Sequence, residues 1–230
     1  MARDQRAEIA ILLKLLSKGE LAIDVGANKG AYVYWMRRAV GPTGAVMAFE
    51  PQNPLASYLS EISSRMDWNN VSIRQCAVSD SNGMATLWVP GTAVSPGATL
   101  ENHEWDEEHQ KNTCRTIKLD DSIPESDKVS FIKVDVEGHE LSVFRGASRI
   151  LEIDKPHILF ECESRHLSVT SVTEVLDYLG ARGYRGFFFN NRKILPVDLF
   201  DAEVHQGSHP KDPSYCNNFL FSCEDISDRI

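Results

Sequence analysis

The sequence predicts an α/β fold in which a mainly parallel sheet is covered by helices on both faces. Three observations carry this. Apolar runs of strand length alternate with segments of helical period from residue 21 onward. The first of these runs stops at a glycine turn that opens a helix. The composition, 42% apolar and 25% charged over 230 residues, is that of one ordinary globular core with no internal boundary. The chain therefore reads as a single domain over residues 1–230, and repeated βα units imply the parallel sheet.

Residues 1–19 begin it with an amphipathic helix: Ile9, Leu12, Leu13, Leu15 and Leu16 recur at helical spacing and Gly19 ends the segment. Its polar face mixes Asp4 and Glu8 with Arg6 and Lys14, too little basic bias for a membrane-surface helix, so it should pack on the core. Residues 21–25 are the first strand, stopped by Gly26, and Gly30 opens a helix through Val33, Met36 and Val40. Residues 45–50 repeat the strand signal. Asn53 is a plausible N-cap, Pro54 sits at the first helical position, and Leu55, Leu59, Ile62 and Met66 share one face.

Strands three, four and five fall at residues 71–75, 129–135 and 157–161, with one helix bearing Leu141, Phe144, Ile150 and Leu151 between the last two. Ser171 and Glu174 form a capping-box pattern for a helix that buries Val172, Val175, Leu176 and Leu179 and ends at Gly180 and Gly183. Residues 184–189 read as strand, Asn190-Asn191 as a turn, and residues 219–221 as the final strand. Between 90 and 113 the rhythm breaks. Glycines, prolines and the charged run from His103 to His109 suggest a long loop, and Trp105 among those charges suggests a lid facing the substrate.

A formal charge of -9, from 33 acidic and 24 basic residues, disfavours a nucleic-acid partner, and Arg37, Arg38, Arg182, Arg185 and Arg192 are too dispersed to form a basic face. The five cysteines lack C-x-x-C spacing and are odd in number, which argues for reduced thiols rather than a disulfide framework or a four-thiolate zinc site. No run is long enough to span a bilayer and no signal peptide is evident, so the expected setting is cytoplasmic, with no membrane partner.

The turn Asp24-Val25-Gly26-Ala27-Asn28-Lys29-Gly30 is where chemistry begins. It is not G-x-G-x-x-G, because Asn28 stands where the second glycine would admit a pyrophosphate, and the G-x-x-x-x-G-K-[ST] loop is absent. It offers an acidic strand tip, small residues and a polar Asn28 at the helix entrance, while Glu50 ends the next strand, where a carboxylate can accept from both ribose hydroxyls. An adenosine carrying a zwitterionic amino-acid tail satisfies both.

These residues, together with Phe49-Glu50-Pro51, the segment from Phe131 to Glu140 (Phe-Ile-Lys-Val-Asp-Val-Glu-Gly-His-Glu), and Arg145-Gly146-Ala147, resemble the motifs of FkbM-type methyltransferases. Leu119-Asp120 and Phe160-Glu161 fit as well, so the resemblance runs from about residue 21 to 163. It implies a Rossmann-like class I methyltransferase fold with a seven-stranded sheet whose last strand is antiparallel. It further implies S-adenosylmethionine as donor and a small-molecule hydroxyl, on a sugar, glycoside or natural product, as acceptor. Carried over, Asp24, Gly26, Asn28 and Gly30 line the methionine end, Glu50 the ribose and Cys76-Ala77-Val78 the adenine; Ala27, Tyr32 and Pro51 complete the cofactor set, and Asp135 faces the reacting end.

Methyl transfer needs alignment and exclusion of water more than covalent catalysis, but a neutral hydroxyl profits from a base or a metal. His139, after the fourth strand, and Glu163, with Glu161, at the end of the fifth are the candidate bases. Asp135 with Glu161 or Glu163 could offer hard oxygen ligands to magnesium, although carboxylates at strand ends alone do not establish a site. His157, His166, His205 and His209 lack metal-ligand spacing and are expected at the surface. Competing readings on the same architecture are a nicotinamide or flavin oxidoreductase, disfavoured by Asn28, a nucleic-acid methylase, disfavoured by charge, and a non-catalytic binding module. The sequence leaves the oligomeric state open, a homodimer included.

Overall fold

The structure, a computed structural model, describes residues 5–91, 94–102, 109–191, 193–210, 212 and 214–230. Asp4, Trp105 with the rest of 103–108, and Arg192 lie outside them. In chain order the elements are α1 (Gln5–Leu15), β1 (Leu21–Val25), α2 (Ala31–Val40), β2 (Ala45–Phe49), α3 (Asn53–Arg65) and β3 (Val71–Arg74). Next come β4 (Ala77–Val78), β5 (Gly83–Pro90), β6 (His109–Ile117), α4 (Leu119–Ser122), β7 (Val129–Val134), α5 (Glu140–Arg145) and α6 (Ser148–Ile153). The chain closes with β8 (His157–Glu161), α7 (Val172–Gly180), β9 (Arg185–Asn190), β10 (Lys193–Pro196), α8 (Ala202–Gln206) and β11 (Asn218–Ser222), with short 3-10 turns at Ser164–His166 and Val197–Leu199.

The main sheet runs β10-β9-β11-β8-β7-β1-β2-β3. The pairs β3/β2, β2/β1, β1/β7 and β7/β8 are parallel, while β11 is antiparallel to both β8 and β9. Both faces are buried because alternate residues of the central strands feed two cores. Ile23, Val25, Ile132 and Phe160 point to one, and Ala22, Phe131, Leu159 and Leu220 to the other. Such two-sided burial gives the continuous apolar runs seen in the sequence.

Several expectations are corrected. The sheet has eight strands rather than seven, since the Asn190-Asn191 turn leads into β10, a four-residue edge strand ending in Pro196 that pairs with β9. The stretch from 90 to 113 is not all loop. Its ends belong to the antiparallel β5/β6 hairpin, which with β4 makes a separate three-stranded sheet. That sheet covers only a small core of Ala77, Leu87, Val89 and Cys114, so its strands carry a short and weak apolar alternation.

The helix expected through Leu141 and Leu151 is two, α5 and α6. At Gly146 a Cβ would lie 2.0 Å from the Ser79 carbonyl oxygen, a crossing of backbones that no continuous helix with a side chain there could accept. The α3 N-cap is Gln52, not Asn53, and Gln52 gives its side chain to another segment instead of capping. Met66, expected inward, is the exposed C-cap of that helix. Glu8, expected on a solvated face, is 3% exposed and accepts from the Tyr32 hydroxyl. His157 is likewise buried and bonded to Ser222 Oγ at 3.0 Å, and His205 stacks on Phe200.

Candidate active site

A cleft opens beyond the carboxyl ends of β1, β2, β7 and β8, the place where parallel sheets of this kind hold ligands. Its wall is set by the turn after β1. Gly26 adopts φ 80°, donates to the Phe49 carbonyl at 2.9 Å, and has the Asp135 carbonyl oxygen where a Cβ would be, 1.9 Å away. Only glycine permits that contact. Asn28 follows with φ 47°, and Gly30, φ 80°, leaves room for Leu59, whose Cδ2 would be 2.5 Å from a Cβ.

Glu50 stands at the end of β2, 2% exposed overall but bordering the cleft. Its Oε2 accepts from the Asn28 amide at 2.8 Å and its Oε1 from the Gln52 amide at 2.9 Å, so the backbone fixes both oxygens. Burial raises its pKa, an effect these amide bonds oppose. Gln52 makes a two-bond ladder with Ser95, Nε2 to the carbonyl at 2.9 Å and the Ser95 amide to Oε1 at 3.0 Å, which holds the segment 94–102 over the opening. Pro51, Cys76, Ala77, Val78 and Leu87 supply the apolar wall beside Glu50.

Of the residues expected to bind the cofactor, Gly26, Asn28, Glu50, Pro51, Ala77, Val78 and Asp135 line this cleft. Asp24, Ala27, Gly30 and Tyr32 do not. Asp24 is 1% exposed, its Oδ2 has no hydrogen-bond partner among the described residues, and burial raises its pKa to about 7 despite the charge of Lys133. Lys133, mid-strand in β7 and fully enclosed, lies 3.6 Å from Asp135 Oδ2, donates to the Val134 carbonyl at 3.1 Å and sits over the Tyr32 ring. Burial works against its charge, yet the carboxylates of Asp135, Glu8, Glu161 and Asp24 outweigh that and raise its pKa. One buried cation thus serves several carboxylates.

At the far end Asp135, Glu137, His139, Glu161 and Thr99 border the cleft. His139 is held at both nitrogens. Nδ1 is 2.8 Å from Glu101 Oε1, which must accept, so Nε2 is the nitrogen that receives the Ser79 hydroxyl at 2.9 Å. Glu101 also accepts from Ser168 Oγ, and Thr99 Oγ1 donates to the Glu137 carbonyl at 2.7 Å. His166, expected at the surface, pairs with Glu137 at 2.5 Å; burial opposes its charge, but that bond raises its pKa.

Glu163 does not line the cleft. Its carboxylate is taken up by Arg165, by the Tyr215 hydroxyl at 2.6 Å and by Asn217 Nδ2 at 2.8 Å, bonds that outweigh burial and lower its pKa to about 2. Glu161 borders the cleft, its pKa raised by burial and then by Asp135. Among the described residues no group of three or more His, Cys, Asp or Glu side chains could hold a metal ion; of the carboxylates considered for magnesium, Asp135 and Glu161 border the cleft and Glu163 does not.

Sequence reasoning missed Ser79, Gln52, Thr99 and Glu101, which come from irregular segments with no motif to mark them. It also passed over Lys133, where a charge in the middle of an apolar strand was itself the signal of buried partners.

The strand order, the antiparallel β11 beside β8 and the cleft at the β1/β2 ends define the fold of the class I S-adenosylmethionine-dependent methyltransferases. The chain belongs to the FkbM methyltransferase family: the Methyltransferase FkbM domain matches residues 24–185. A hexuronic acid methyltransferase of Haloferax volcanii is 31% identical over 156 residues, 65% of this chain and 60% of that protein. The chain thus spans under two thirds of the length of that relative. The crystal structure of methyltransferase FkbM from Methylobacillus flagellatus superposes with a TM-score of 0.58 at 18% identity, covering 91% of this chain and 47% of that one. A candidate methyltransferase from Streptococcus mutans, in complex with SAH, gives 0.53 at 9% identity over 96% and 98%. No helix among the described residues is long and apolar enough to cross a membrane.

Proposed function

We propose that this chain transfers a methyl group from S-adenosylmethionine to a hydroxyl of a small, sugar-type acceptor. The observation that carries the reading is the cleft itself. Glu50, held rigid by two backbone amides, stands beside a glycine turn and a small apolar wall, a lining suited to a ribose, an adenine and a charged tail. Family membership and the hexuronic acid methyltransferase relative support the reaction and the acceptor class.

Bound S-adenosylmethionine supplies an activated methyl on a sulfonium. The chain's own residues do the rest. Glu50 orients the ribose hydroxyls, and the Gly26–Asn28 backbone fixes depth. Asp135, 3.6 Å from Lys133, presents its carboxylate at the reacting end. The segment 94–102, fastened by Gln52 and by the Glu101–His139 bond, excludes water. His139 Nε2, now receiving the Ser79 hydroxyl, is the nitrogen that takes the acceptor proton.

Isothermal titration with S-adenosylmethionine and, separately, with NAD tests this directly. Binding of the first alone is expected; binding of NAD alone overturns the reading in favour of an oxidoreductase.

A further inference from the structure

The charges around the far end of the cleft define what kind of acceptor it takes, an inference that rests on the methyl-transfer reading above. Among the described residues no lysine or arginine lines the cleft, whereas Asp135 and Glu137 do. The basic side chains nearby are already committed. Lys133 lies beneath the floor, 1% exposed, on Asp135 and the Val134 carbonyl. His166 is on Glu137, His139 Nδ1 on Glu101, and the Arg165 guanidinium on Glu163.

An acceptor carboxylate entering here would lose water, meet no uncommitted lysine or arginine among the described lining residues and approach the oxygens of Asp135 and Glu137, a penalty that buried charges without a protein partner cannot avoid. A hydroxyl meets the opposite situation. Each O–H is a donor, and Asp135, 35% exposed, and Glu137 present acceptor oxygens where it would sit.

We infer that the acceptor is an uncharged polyhydroxyl compound, a neutral pyranoside rather than a uronic acid, and that Asp135 and Glu137 are the residues that enforce this choice. The hexuronic acid named for the Haloferax volcanii relative is then a substrate this chain discriminates against.

The test uses the full chain with S-adenosylmethionine and measures release of S-adenosylhomocysteine on matched pairs: methyl glucoside against methyl glucuronide, and the galactose pair likewise. Neutral members are expected to show kcat/KM at least about tenfold higher than their uronates, a difference of about 1.4 kcal/mol. Glu137→Gln, which removes one carboxylate and releases His166, should move the ratio toward the uronate by about threefold or more. Equal or faster turnover of the uronates overturns the inference, as does a protein that binds S-adenosylmethionine yet turns over no neutral pyranoside. Failure to bind S-adenosylmethionine in calorimetry sinks the methyl-transfer reading itself, so the two failures are told apart.

Discussion

At the scale of single residues the turn after β1 shows how much of the site was legible and where legibility ended. The acidic strand tip, Gly26, Asn28 and Glu50 were readable because a short turn constrains residue type tightly. That Asp24 is buried outside the cleft lining was not, because a strand covered on both faces gives no sign in its own residues of which face borders a ligand. Gly26→Ala would force a Cβ onto the Asp135 carbonyl at φ 80°, so it should cost roughly 2–4 kcal/mol of stability, read by denaturant unfolding. Glu50→Gln keeps the shape but loses the charge that both amides hold, and S-adenosylmethionine affinity should fall about tenfold in calorimetry. His139→Ala should lower kcat more than affinity for the donor; an equal loss of both would leave His139 as a strut between Glu101 and Ser79.

Among the elements, α5 and α6 read as one helix because their apolar positions keep a common period across Gly146. The break comes from a backbone 67 residues earlier, at Ser79, which no local pattern reports. Asp120 then caps the second piece: its Oδ2 accepts from the Arg149 amide at 2.8 Å and its Oδ1 from the Ile150 amide at 3.1 Å. Leu119-Asp120 was noticed as part of a family pattern, and this geometry gives it a structural cause. Asp120→Ala should destabilise the chain by about 1–2 kcal/mol while donor affinity, measured at a temperature well below unfolding, stays the same. The strap over the cleft makes the contrasting case. Gln52→Ala unties Ser95 without removing buried apolar surface, so it should weaken donor binding several-fold with a Tm close to that of the parent.

For the whole molecule, alternating βα units made the parallel part of the sheet readable, since strands buried on both faces announce themselves. The β5/β6 hairpin and β10 did not, because each covers little or no core. The buried charges give the molecule an unusual dependence on pH. Asp24 and Glu140 have pKa values raised to about 7, and Glu161 to about 10, in each case by burial first. Their folded forms bind more protons than the unfolded chain between their ordinary values, 3.8 for Asp24 and 4.5 for Glu140 and Glu161, and those raised values, so stability falls as pH rises through that window. His166, raised by Glu137, adds in the same sense, its contribution being lost above its folded pKa. Two groups oppose. Glu163, lowered to about 2, withdraws its contribution as pH falls from about 4.5, and His157, lowered by burial, does so as pH falls below its ordinary value of 6.5. Since three carboxylates and one histidine outweigh a single histidine above pH 5, and net charge vanishes near the pI of 5.3, Tm should peak at about pH 5. It should decline steadily toward pH 8 and drop below pH 4. Asp24→Asn should flatten the decline between pH 5 and 8 while leaving the acid limb in place. Scanning calorimetry across that range decides the matter, and a Tm that rises from pH 5 to pH 8 would show that these carboxylates are ionised and paired in the folded protein.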